Sequence, residues 1–175
     1  MRNILKSMLY VATIACLMLS VTAHADSKKK KSIKLQADLS TAQEVQSVAP
    51  GLITSATITA KFSKDLSSVD VKLRVKGGAN VVAAHFHCAR AGVKGPVAVT
   101  ITSALGPLPF DGTEASGTLT NADFLPMDSD PCPLVIGRPV NNIASLLFAM
   151  QDGLIYTNVH TFPDNPGGEV RGQMR

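Results

Sequence analysis

From residue 32 onward the sequence is a succession of short alternating stretches, each closed by Gly, Pro, Asn or Asp. Ser32–Leu39 alternates as a half-buried strand does. Ala56–Phe62 repeats the pattern with Thr and Ile. In the next stretch Val69, Val71, Leu73 and Val75 share one face, and Asp70, Lys72 and Arg74 the other. Ser63-Lys64-Asp65 between these two is a hairpin-length loop. Val81–Cys88, Val97–Ile101, Ser116–Thr120, Ile155–Thr161 and Glu169–Met174 read as further strands, the last two joined by a tight turn over 163–168. One helix is predicted, over Asn141–Gln151, where Ile143, Leu146, Leu147 and Met150 fall on one face and Asn141 or Asn142 supplies the cap. Residues 125–139, rich in Pro and Asp, read as an irregular loop. About eight closely spaced strands and one short helix predict an all-β domain, an antiparallel β-sandwich or small barrel.

The first 25 residues follow a different logic. Arg2 and Lys6 precede an apolar run from Met8 to Val21, and Ala23-His24-Ala25 has the small-x-small form of a cleavage site. The expectation is a signal peptide over 1–25, a basic disordered tail over 26–32, and one domain over 33–175. The run is too short for a spanning helix, so no transmembrane segment is expected after cleavage. The chain is expected to be exported, to a periplasm or to the outside. Removing Arg2 and Lys6 from the 17 basic residues leaves 15 against 13 acidic. Setting aside Lys28 to Lys31 and Asp26 then leaves 11 basic and 12 acidic residues in the body. A near-neutral body does not suit nucleic acid. The absence of Trp and an aromatic content of 5% argue against a ring-lined stacking platform.

Export also frames the cysteines. Cys16 lies in the leader, so the mature chain keeps Cys88 and Cys132. Two cysteines in an oxidising compartment suggest one disulfide, with two free thiols or two soft metal ligands as alternatives.

Chemistry-bearing residues gather in three strands. In His85-Phe86-His87 the two imidazoles point one way and Phe86 the other. Asn158 and His160 share a face of the Ile155–Thr161 strand, and Glu169 and Arg171 share a face of the last strand. If these strands are neighbours, the six polar residues form one cluster. A structural hydrogen-bond network would satisfy them mutually. A mononuclear copper or zinc site would use His85, His87 and His160. A histidine acting as acid or base is the third reading. No Gly-rich phosphate loop, H-E-x-x-H or G-x-S-x-G is present. Asp128 and Asp130 lack a Glu at EF-hand spacing and read as a solvated acidic loop rather than a calcium site.

Three separated motifs resemble those of the CHRD (chordin-type) family. They are Gly153-Leu154-Ile155-Tyr156-Thr157-Asn158-Val159-His160-Thr161 leading into Gly168-Glu169-Val170-Arg171-Gly172-Gln173, Ala84-His85-Phe86-His87 with Gly95-Pro96-Val97, and the opening Ala42-Gln43-Glu44-Val45. The family's double proline after the opening Glu is missing, and Cys88 stands where the family has a small residue. The resemblance implies an exported all-β domain and sharpens fold and location more than activity; the expected role is non-enzymatic binding or envelope interaction, with an unidentified protein or envelope component as partner. The family also occurs as repeats in the growth-factor antagonist chordin, a partner class that does not carry over to a single domain. The H-x-H strand also resembles copper–zinc superoxide dismutase, whose dinuclear site needs six histidines and an aspartate. The three histidines of the mature chain exclude such a site.

Overall fold

The computed structural model describes residues 32–50, 53, 55–77, 80–106 and 114–175. The expected signal peptide and nearly all of the basic tail lie outside these residues. Among the described residues eight strands form: β1 (Lys34–Leu39), β2 (Ser55–Phe62), β3 (Ser68–Lys76), β4 (Val81–Cys88), β5 (Val97–Thr100), β6 (Glu114–Thr120), β7 (Ile155–Thr161) and β8 (Asn165–Gln173). They make two antiparallel four-stranded sheets, ordered β1-β2-β3-β6 and β5-β4-β7-β8. The arrangement is a sandwich and not a closed barrel.

Strict alternation drives the packing. Ile58 and Phe62 of β2, Val69, Val71 and Leu73 of β3, and Phe86 of β4 are all buried between the sheets. Burying each such side chain contributes about 1.5–3 kcal/mol. The expected helix forms as α3 (Ile143–Gln151), with α1 (Thr102–Leu105) and α2 (Pro133–Ile136) as single turns. Asn142 caps α3 by accepting the Ser145 N–H at 2.8 Å, and Ser145 Oγ accepts the Asn142 N–H at 3.1 Å. Ile143, Leu146, Leu147 and Met150 turn into the core.

Three local expectations need correction. The turn before the last strand is shorter than the Pro/Gly run suggests: β8 begins at Asn165, which pairs with Thr161. Asn165 also holds Ala49, accepting its N–H at 2.9 Å and donating to its carbonyl at 3.2 Å. The strand from Val97 stops at Thr100, and α1 follows. The reason is that β4 extends past β5. There Ile101 N–H donates to the Ala84 carbonyl, and Thr102 Oγ1 accepts the Ala84 N–H at 2.8 Å. Finally, Asp130 is buried rather than solvated. Its carboxylate accepts the N–H groups of Cys132 at 2.9 Å and Val140 at 2.6 Å, which ties the Pro-rich segment to the core.

Two links matter beyond the individual sheets. Cys88 of β4 and Cys132 before α2 form a disulfide, with sulfurs 2.06 Å apart. The outer edges of β1 and β8 also meet across the sandwich. Gln36 and Arg175 exchange backbone hydrogen bonds of 2.8 and 3.0 Å, and Ser40 and Arg171 exchange bonds of 3.0 and 3.2 Å.

Candidate metal site

The strand order that brings β4, β7 and β8 side by side places the polar residues in rows. His85 faces Asn158, which faces Arg171; His87 faces Tyr156, which faces Gln173. All lie on the face opposite Phe86, away from the inter-sheet core. That face is nonetheless covered, for Asn158 is 4% exposed, His87 8% and His160 9%. His85 is half-buried.

Backbone carbonyls aim two of the rings. His87 Nδ1 lies 2.9 Å from the Gly95 carbonyl, and His160 Nδ1 lies 2.9 Å from the Pro166 carbonyl. A carbonyl only accepts, so each Nδ1 carries the proton. Each neutral ring therefore turns a bare Nε2 toward the cluster. His87 Nε2 is buried and has no hydrogen-bond partner. His160 Nε2 lies 3.0 Å from His85 Nδ1 and 3.0 Å from Asn158 Oδ1. One ring nitrogen from each histidine falls within 4.8 Å of the others.

The surroundings disfavour the charged form of each ring. Burial lowers the pKa of all three. For His85 burial and the neighbouring His160 and His87 bring it to about 4. For His87 the Gly95 bond and Asn158 work in the opposite direction, and His160 and Arg171 add to the lowering. Neutral imidazoles with fixed tautomers are the form in which histidine ligates a metal, and a carbonyl on the second ring nitrogen is the usual means of orienting it.

The surrounding shell is built around Tyr156. Its ring stacks on His87 with centroids 4.7 Å apart and planes 7° from parallel. The Arg171 guanidinium carbon sits 3.4 Å from the Tyr156 centroid. Arg171 is buried and donates to the carbonyls of Arg90 at 3.2 Å and Val93 at 2.8 Å, fixing the loop that carries Gly95. Tyr156 Oη reaches the same loop, 3.2 Å from the Gly95 carbonyl and from its N–H. Gly95 is required there, because a Cβ would overlap the Cys88 carbonyl.

The six residues expected to cluster do not all meet. His85, His87, His160 and Asn158 come together. Arg171 stands one residue away, against Tyr156. Glu169 bonds elsewhere, accepting the Ile53 N–H at 2.6 Å and the Thr161 hydroxyl. Glu44 is an addition. Its Oε1 is buried without a hydrogen-bond partner, and burial raises its pKa against the opposing pull of Arg171 and Lys94. Tyr156 and Glu44 were visible in the motifs but carried no metal-binding signal of their own. The Gly95 and Pro166 carbonyls carry none in any sequence.

The family model for the CHRD domain matches residues 35–174, from β1 past the end of β8. No curated protein and no solved structure matches the chain. The matched span contains the three histidines, Asn158 and the strands that carry them, and the chain belongs to the CHRD-domain family.

Proposed function

We propose that this chain is an exported, non-enzymatic binding module whose outer sheet face holds one copper or zinc ion through His85, His87 and His160. One observation carries the reading: a ring nitrogen from each of the three histidines converges within 4.8 Å of the others, and among the described residues no hydrogen bond within 3.5 Å reaches the buried Nε2 of His87. An unpaired buried acceptor costs about 1–3 kcal/mol, and a cation shared with the other two rings removes that cost. Three imidazoles suit copper and zinc alike. The apolar leader supports export, and the absence of any phosphate loop or nucleophile motif supports a non-enzymatic role. The partner of such a module would be a protein or an envelope component. Among the described residues no helix is long and apolar enough to cross a membrane.

A second reading has its own support. His160 Nε2 already lies within hydrogen-bonding distance of His85 and Asn158, as in a metal-free polar network. Metal analysis of the mature protein from its native compartment separates the two. The expected result is near-stoichiometric copper or zinc, lost in both His85→Ala and His160→Ala. Metal-free protein that takes up neither ion on reconstitution would leave the network reading.

A further inference from the structure

The Asn158 amide faces a bare nitrogen. His160 donates its Nδ1 proton to Pro166, so its Nε2 carries a lone pair, yet Asn158 Oδ1 stands 3.0 Å from that atom. Two acceptors in contact repel unless something positive lies between them. Rotating the amide by half a turn is the ordinary remedy, but the other side of the amide opposes it. A Cβ built on Gly168 would lie 2.7 Å from Asn158 Nδ2 and 2.9 Å from Glu44 Oε1. The amide nitrogen and the buried carboxylate oxygen thus border one small space that only glycine leaves open. Gln46 Nε2, 3.2 Å from the same point, is already engaged by the Gly167 carbonyl and Glu44 Oε2, so a rotated amide would turn its oxygen toward a carboxylate oxygen that already lacks a donor. The NH₂ group belongs on the Glu44 side, and the oxygen on the histidine side.

We infer that Asn158 Oδ1 is a fourth ligand, completing a neutral three-nitrogen, one-oxygen donor set for a divalent cation. This rests on the histidine reading above and adds a ligand and a charge class to it. Four neutral donors leave the ion's double charge intact, and an amide oxygen is a harder donor than the thiolate or thioether that selects copper(I). Ligation asks one rearrangement of the rings. His85 Nδ1, now 3.0 Å from His160 Nε2, gives up its proton to carry a lone pair, and the neutral ring then holds it on Nε2.

Cobalt(II), a spectroscopic stand-in for zinc, tests this on the disulfide-bonded mature chain. The wild type is expected to bind one cobalt(II) with the intense visible absorption of a four-coordinate site. Asn158→Ala is expected to bind at least about tenfold more weakly, with its visible bands displaced as a water takes the vacated fourth position. Asn158→Asp keeps an oxygen in place and is expected to retain the intense band. Unchanged affinity and spectrum in Asn158→Ala would overturn the inference while leaving the histidines as ligands. An Asn158→Asp variant as weak as Asn158→Ala would also overturn it, since the amide N–H would then be the group that matters. A wild type that binds neither cobalt(II), zinc(II) nor copper(II) would remove the histidine reading and this one with it. The side-chain carbonyl carbon of Asn158, followed by NMR as zinc(II) is added to the wild type, needs no variant. It is expected to shift with one equivalent, and a stationary signal with bound zinc would overturn the proposal.

Discussion

At the scale of single residues, the histidines set how the metal-free protein responds to acid. Their folded pKa values lie below the unfolded value of 6.5, with His85 at about 4. Between those two pH values the unfolded chain binds more protons than the folded one, so stability rises with pH. The contribution is complete above about pH 6.5 and is lost as pH falls toward 4. Glu44, with its pKa raised, acts with the opposite sign at the lower end of this range. Urea midpoints measured from pH 7.5 down to 4.5 are expected to fall for the wild type and to fall less for His85→Asn. Parallel curves would assign the acid response to other groups. The pairing of His85 with His87 was legible, because alternation along a strand puts residues two apart on one face. The choice of ring nitrogen was not, because it depends on carbonyls eight residues away at Gly95 and six away at Pro166.

At the scale of elements, the alternating strands were legible nearly to the residue, and Val81–Cys88 and Ile155–Thr161 are found with the expected bounds. What failed was punctuation. Pro166, Gly167 and Gly168 look like a turn, yet they continue a strand past an irregularity in register near His160. That irregularity gives the Pro166 carbonyl its place at the His160 ring. Asp128 is exposed as expected, but Asp130 is not, because a carboxylate that satisfies backbone donors looks, in sequence, like one that meets water. Asp130→Ala would strand two buried N–H groups, those of Cys132 and Val140. The expected loss is about 2–6 kcal/mol at roughly 1–3 for each orphaned group, read from urea denaturation. A loss below about 0.5 kcal/mol would mean that water replaces the carboxylate.

At the scale of the whole molecule, the disulfide closes a loop across 44 positions of sequence, from the strand of the histidines to the segment that leads into α3. In the chain-entropy model a loop of that length contributes about 4 kcal/mol. The Cys88→Ala/Cys132→Ala variant is expected to lose about that much stability in denaturant. A variant as stable as the wild type would show that Asp130 and the core already hold the segment. The backbone exchange between Gln36 and Arg175 and between Ser40 and Arg171 works at the same scale. Each sheet spends one border on the other, which leaves the four residues of β5 and the seven of β6 as the remaining borders. Borders are where β-proteins recruit foreign strands and begin to polymerise. A chain sewn along its longest border offers a neighbouring copy only these two shorter edges as templates.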